Sequence, residues 1–142
     1  METVLTMLLT LSYKLGGYGF ALPRLNFPKT IATENSKTLA LTKYFCDLYW
    51  PKAAVDVEYD SEAYHTAPER VSRDAIRRNA LSSVGVTVVT VSRRQIYSAV
   101  GFKEVAELLS KLLHKRLQYV QPEFSKHHAE LRSQLLPKPS MF

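Results

Sequence analysis

The chain has 142 residues, enough for one domain that buries most of its apolar surface without disulfides or structural metals. A hydrophobic fraction of 46% and a charged fraction of 23% belong to ordinary globular proteins and exclude disordered and fibrous classes. The net charge of +6 and pI near 9.5 admit a polyanionic partner, because neutralising phosphates releases counterions.

A single cysteine, Cys46, excludes an internal disulfide framework and suits a reducing compartment. Its apolar surroundings point to a buried structural thiol rather than a reactive one. The apolar stretch Val4 to Leu11 lacks a basic leader region and a small-residue cleavage site. It is also far shorter than the roughly 20 helical residues that cross a bilayer. A cytoplasmic protein with no membrane partner is expected.

Residues 1–15 read as an amphipathic helix, since Val4, Leu5, Leu8, Leu11 and Leu15 recur at helical spacing. Gly16-Gly17 ends it. Between Tyr18 and Pro28, the residues Gly19, Pro23 and Pro28 predict a loop. Residues 29–38 are polar, with a hairpin turn expected around Glu34-Asn35-Ser36. Leu39–Tyr49 carries strand-type residues and is ended by Trp50-Pro51. Ala53–Tyr59 alternates Val55, Val57 and Tyr59 with Ala54, Asp56 and Glu58, the period of a second strand. A polar loop over 61–69 leads to a helix over Ser72–Val84, with Ser72 as N-cap and Gly85 beyond its end.

Val86–Val91 is a β-branched run of the kind that forms a covered strand. Phe102–Tyr119 gives the longest helical pattern, and Lys115 and Arg116 suit the negative end of its dipole. Residues 123–136 form a marginal helix before a loose tail. The order helix, strand, strand, helix, strand, helix implies an α/β fold, a mixed sheet flanked by helices.

The chemistry concentrates in Cys46-Asp47-Leu48-Tyr49, then Val55 to Asp60, then His65. Asp56, Glu58 and Asp60 share one strand face by alternation. Carboxylates so placed repel one another and require solvent, basic neighbours or a divalent cation. Hard oxygen ligands suit Mg²⁺ or Mn²⁺. A solvated acidic face is the plainer explanation for the alternation alone. Asp47, eleven residues before Glu58, adds weight, because a strand–turn–strand of that length can bring it beside Glu58.

Phe45 to Gly85 resembles an endonuclease-related family similar to very-short-patch-repair endonucleases, within the PD-(D/E)xK superfamily. The pattern is an aspartate on one strand, a strand ending in Glu-x-Asp-Gly, a nearby histidine, then Asp-x-x-Arg with Leu and Gly. Asp47, Glu58-Tyr59-Asp60, His65, Asp74, Arg77, Leu81 and Gly85 stand in that order over about 40 residues. The chain departs from the superfamily at Asp60, where a lysine is usual, and at Ser61, where a glycine is frequent.

The resemblance implies a restriction-endonuclease-like domain over residues 1–120, with residues 121–142 as a C-terminal extension. It further implies that Asp47, Glu58 and the Tyr59 carbonyl hold Mg²⁺ or Mn²⁺, and that Asp60 and His65 orient water or protons. Glu2, on the first helix, stands where family members carry a glutamate approaching the metal site. Its plainer role is to complement the helix dipole.

Arg70, Arg73 and Arg77 follow i, i+3, i+7 spacing, with Arg78 at the edge of their face. With Arg93 and Arg94 they make a basic rim suited to a nucleic-acid backbone, and the resemblance implies DNA as that partner. Asp74 and Arg77 are also spaced to form a local helix pair worth about 0.2–0.5 kcal/mol. His127 and His128 have no ligand-type partners at suitable spacing and read as surface residues. Two functions follow as expectations: metal-dependent phosphodiester hydrolysis, or an inactive nucleic-acid-binding or regulatory module of a defence or toxin–antitoxin system.

Overall fold

A computed structural model describes residues 1–35, 38–61, 67–118 and 121–138. The fold is α/β, with a four-stranded mixed sheet and helices. By internal contacts the chain divides into two compact units, Pro23–Ser92 and a second composed of Met1–Leu22 with Arg93–Phe142.

The unit Pro23–Ser92 holds the sheet. Its strands β1 (Arg24–Asn35), β2 (Thr38–Trp50), β3 (Val55–Asp60) and β4 (Thr87–Ser92) lie in the order β1-β2-β3-β4. The first three pair antiparallel, while β3 and β4 run parallel. A parallel pair needs a long crossover, and helix α2 (Pro68–Ser83) supplies it. Leu81 from this helix packs with Ile31, Cys46, Tyr49 and Val86 in one buried cluster.

Strands β2, β3 and β4 lie where the sequence pattern puts them. The first half of β1 does not, because Gly19, Pro23 and Pro28 argue for a loop there. It is an edge strand, and Pro28 pairs opposite Phe45; an edge tolerates the missing donor because one side has no ladder to complete. The expected hairpin is present, with Asn35 opposite Thr38, while Ser36 falls outside the described residues. α2 starts at Pro68, four positions before Ser72. Proline fits a first helical position because the N–H it lacks would be unpaired there anyway.

The other unit contains α1 (Glu2–Thr10), a 3₁₀ turn (Tyr13–Leu15), α3 (Arg93–Tyr97), α4 (Ala99–Leu112) and α5 (Phe124–Leu135). α1 stops at Thr10, so Leu15, expected on its buried face, is 61% exposed. α3 has no clear sequence pattern. α4 begins three residues before Phe102 because Ser98 caps it, accepting from the Gly101 N–H at 3.0 Å. It ends at Leu112, and His114 then takes a left-handed φ of 52°. Lys115 therefore sits beyond the helix, where its ammonium donates to the Gly19 carbonyl.

The marginal helix expected over 123–136 is α5. Its Phe124, His128, Leu131 and Arg132 form one buried stripe at helical spacing. His128 is thus a core residue, contrary to the surface position expected of it. Its ring meets Tyr18, Phe102 and Phe124 at centroid distances of 5.2, 6.2 and 5.3 Å. Among the described residues, no helix is long and apolar enough to cross a membrane.

Gly16 admits this close packing: it has φ +95°, and a Cβ there would overlap the His127 carbonyl. Gly85 also has positive φ, +82°, but faces open space. Gly16→Ala should therefore destabilise the fold by at least about 2 kcal/mol, from backbone strain plus overlap, and Gly85→Ala by about 1 kcal/mol from strain alone. Chemical denaturation of the two variants checks the order of the effects.

Candidate active site

Strand β3 buries Val55 and Val57 and turns Asp56, Glu58 and Asp60 to the face covered by α2. Exposure grows along that row. Asp56 is 0% exposed, Glu58 is 17% exposed at its side chain, and Asp60 is open to solvent. On α2, Arg70, Asp74, Arg77 and Leu81 recur at i, i+4, i+7 and i+11 and so form one stripe. Leu81 anchors the stripe in the apolar cluster. Nearer the helix start, Arg70 reaches the open end.

Between these rows lies a cleft of about 170 Å³, lined by Glu58, Tyr59, Asp60, Arg70, Asp74, Arg77, Arg78 and Thr90. Arg77 spans its inner end. One guanidinium nitrogen, Nη1, ion-pairs Glu58, while Nη2 donates to the Phe45 carbonyl at 2.5 Å and lies 3.9 Å from Asp56. Arg78 donates to Thr90 Oγ1 at 3.2 Å. Arg73, expected on the same face, lies outside this lining and donates back to the Glu69 carbonyl at 3.4 Å. A step of three residues from Arg70 falls short of a full helical turn, so Arg73 is rotated off the row that Asp74 and Arg77 continue.

Asp47 enters from β2 at a break in regular structure. Cys46 and Tyr49 belong to the same buried cluster although they are three positions apart; strict alternation would put them on opposite faces. The β2–β3 register runs from Trp50↔Val55 to Leu48↔Val57. One step further, where Asp47 would oppose Glu58, the Asp47 carboxylate itself accepts the Tyr59 N–H at 3.3 Å. On the other side, β1 pairs at Leu25↔Leu48 and Phe27↔Cys46, and between them Asn26 has a left-handed φ of 47°. Asparagine tolerates that region better than most residues.

These acids do not share charge evenly. Burial pushes the Asp56 carboxyl up to about 8, helped by hydrogen bonding with Glu58 and that group's charge; Arg77 opposes the shift and Asp47 adds to it. Both Asp56 oxygens are buried, and Arg77 lies 3.9 Å from one of them. A contact between two carboxyls is a hydrogen bond only when one carries a proton, so Asp56 holds that proton at neutral pH. Burial and the neighbouring Asp56 also push the Cys46 thiol up to about 12. Cys46 is therefore a neutral, buried thiol and no nucleophile.

The cleft brings together Glu58, Tyr59, Asp60, Arg70, Arg77 and Arg78, with Asp47 tied to β3 beside it. Glu2 is in the first turn of α1, and Arg93 and Arg94 open α3, all in the other unit. His65 lies outside the described residues. Alternation places Asp56 on the acidic face but assigns it no role; its position between Val55 and Val57 in a covered strand is the available signal. Among the described residues, no three His, Cys, Asp or Glu side chains form a ready ion-holding group. Comparisons with family models, curated proteins and solved structures found no match.

The raised Asp56 pKa has a direct consequence for stability. Its unfolded value is near 3.8 and its folded value near 8, so the native state keeps a proton that the unfolded chain loses. The stability this contributes is complete below about pH 4 and disappears as pH rises to 8. Asp56→Asn, in chelator, should flatten that decline and raise stability at pH 8 by roughly 1–3 kcal/mol. Urea denaturation across pH 4–9 checks this; parallel pH profiles for the two proteins would contradict it.

Proposed function

We propose that the chain is a metal-dependent nuclease, a DNA endonuclease acting in the cytoplasm, that hydrolyses phosphodiester bonds at the cleft between β3 and α2. The observation that carries the reading is the pairing of an acidic floor, Glu58 and Asp60, with a basic wall, Arg70, Arg77 and Arg78, in one cleft. A nuclease needs both: cations to hold phosphate oxygens, and carboxylates to hold a divalent ion.

The donor chemistry fits a hard cation. Asp56 offers two buried oxygens beside Glu58 and near Asp47, and a proton offsets part of that charge. Asp47, Glu58 and the Tyr59 carbonyl are the groups that would hold Mg²⁺ or Mn²⁺. When bound, such an ion supplies Lewis acidity toward a phosphate oxygen and lowers the pKa of water. Arg70 and Arg78 orient the phosphate against the cleft. Arg77 steadies Glu58 and the Phe45 carbonyl, keeping the acidic strand and the helix in register. Asp60, exposed at the mouth, would accept a proton from the attacking water, with His65 the second candidate for that role, and the departing ester oxygen would take its proton from solvent as the phosphorus–oxygen bond breaks.

The Arg77–Glu58 ion pair favours one other reading, since it occupies a carboxylate that the cation requires. In that case the arginine wall binds nucleic acid without turnover. A cleavage assay on plasmid and single-stranded DNA, with Mg²⁺, Mn²⁺ or chelator, distinguishes them. Asp47→Asn and Glu58→Gln should each lower metal-dependent cleavage by at least about 100-fold while the circular dichroism spectrum is kept. Binding without cleavage in the unmodified protein would support the inactive module.

Substrate holding is testable apart from chemistry. Arg70→Ala with Arg78→Ala should weaken oligonucleotide binding for all sequences alike. The salt slope should fall by about 0.7–0.9 for each phosphate that the arginines no longer hold, measured in Ca²⁺ to block turnover. An unchanged slope would show that phosphates are held elsewhere.

A further inference from the structure

The second unit contains a cavity of about 440 Å³ lined by Tyr18, Val100, Lys103, Phe124, His128 and Arg132, among others. That volume is in the range of small-molecule sites. Its wall is largely aromatic and aliphatic, yet it carries two buried polar side chains, His128 at 5% and Arg132 at 9% exposure. Each has an unused atom. Arg132 Nη1 and His128 Nε2 are buried with no hydrogen-bond partner among the described residues.

A guanidinium nitrogen buried against aromatic rings without a partner is costly, because it has left water for nothing that replaces its hydrogen bonds. His128 adds directional information. Its Nδ1 lies 2.7 Å from the Gly16 carbonyl, which can only accept, so Nδ1 carries the hydrogen. In the neutral ring Nε2 is therefore a bare lone pair. Burial and the positive charge of Arg132 both lower the His128 pKa, against the Gly16 hydrogen bond that raises it, so the ring is neutral at pH 7.

We propose that this cavity binds a small apolar carboxylate, its acid group at Arg132 and His128 and its hydrocarbon along Tyr18, Phe124 and Val100. One turn of α5 separates His128 from Arg132, so both reach the same end of a ligand. A carboxylate fits better than a phosphate, which brings more oxygens and charge than one guanidinium nitrogen and one imidazole can satisfy. One carboxylate oxygen accepts from Arg132 Nη1. The other meets the His128 lone pair, which repels it unless Nε2 takes a proton from solvent. Binding therefore forms an Nε2–H bond and consumes one proton. The charged and titratable groups lining the cavity with His128 are Arg132 on α5, the Tyr18 hydroxyl and Lys103 on α4, which lies 3.9 Å from Glu107; the two cations favour the anion, and Glu107 offsets Lys103 in part. This site is independent of the nuclease reading.

The test uses the full chain, with 3-phenylpropionate and its uncharged amide as probes, followed by amide NMR shifts between pH 6 and 8. The carboxylate should bind at least about tenfold more tightly than the amide at pH 6, as expected for a charge-assisted bond. Its affinity should fall as pH rises, while that of the amide stays level. Arg132→Met should erase the preference, and if that variant fails to fold, the acid–amide comparison on the unmodified chain still decides. Equal affinity for acid and amide, no binding of either at millimolar concentration, or carboxylate binding indifferent to pH would each overturn the proposal.

Discussion

Carboxylates gathered under a helix, with one guanidinium among them, set the conditions for everything else in the Pro23–Ser92 unit. Asp56 is fully buried, Glu58 largely so, and Arg77 reaches both while also donating to the Phe45 carbonyl. Burial disfavours the Asp56 charge, and one guanidinium cannot offset the neighbouring carboxylates as well, so a proton remains on Asp56. Such a cluster is a poor choice for stability alone. Apolar residues of similar size commonly do as well or better in buried positions. Its presence beside the buried valines of β3 is what directs attention to function.

The backbone supports the cluster at a specific irregularity. Where Asp47 would have continued the ladder with β3, its side chain takes the Tyr59 N–H instead. The neighbouring edge strand adapts through Asn26 in a left-handed conformation. Regular pairing resumes on both sides, with Cys46 and Tyr49 in the same apolar cluster. The break thus costs little packing, and it ties Asp47 to the strand that carries Glu58. Leu81 then fixes the depth of α2, and the helical repeat brings Arg77, Asp74 and Arg70 progressively toward solvent. An acidic floor that opens outward and a basic wall beside it follow from those few contacts.

Much of this arrangement is legible in the sequence, and the exceptions have physical causes. Alternation in Val55–Asp60 and the β-branched run after Gly85 identify strands correctly because both are period signals that burial enforces. Pro28 misleads, since it belongs to an edge strand, and Pro68, inside the loop expected over 61–69, opens a helix. Both positions forgive a missing N–H, a property of tertiary context rather than of the residue. His128 escapes a sequence reading because its burial depends on rings from Tyr18 and Phe102, far away in the chain. Likewise Asp56 looks like one more acid on a solvated face. Only the covering helix makes it a buried, protonated group.

Within the proposed chemistry, the buried Asp56 carboxyl is the group whose proton can be followed most directly. Carboxyl carbon NMR of the labelled protein can follow that group directly, first in chelator and then with saturating Mg²⁺. The predicted result is a titration near 8 in chelator, moving down toward the ordinary carboxylate range when Mg²⁺ is added. An Asp56 signal titrating near its unfolded value of 3.8 in chelator, or one near 8 that ignores Mg²⁺, would contradict it.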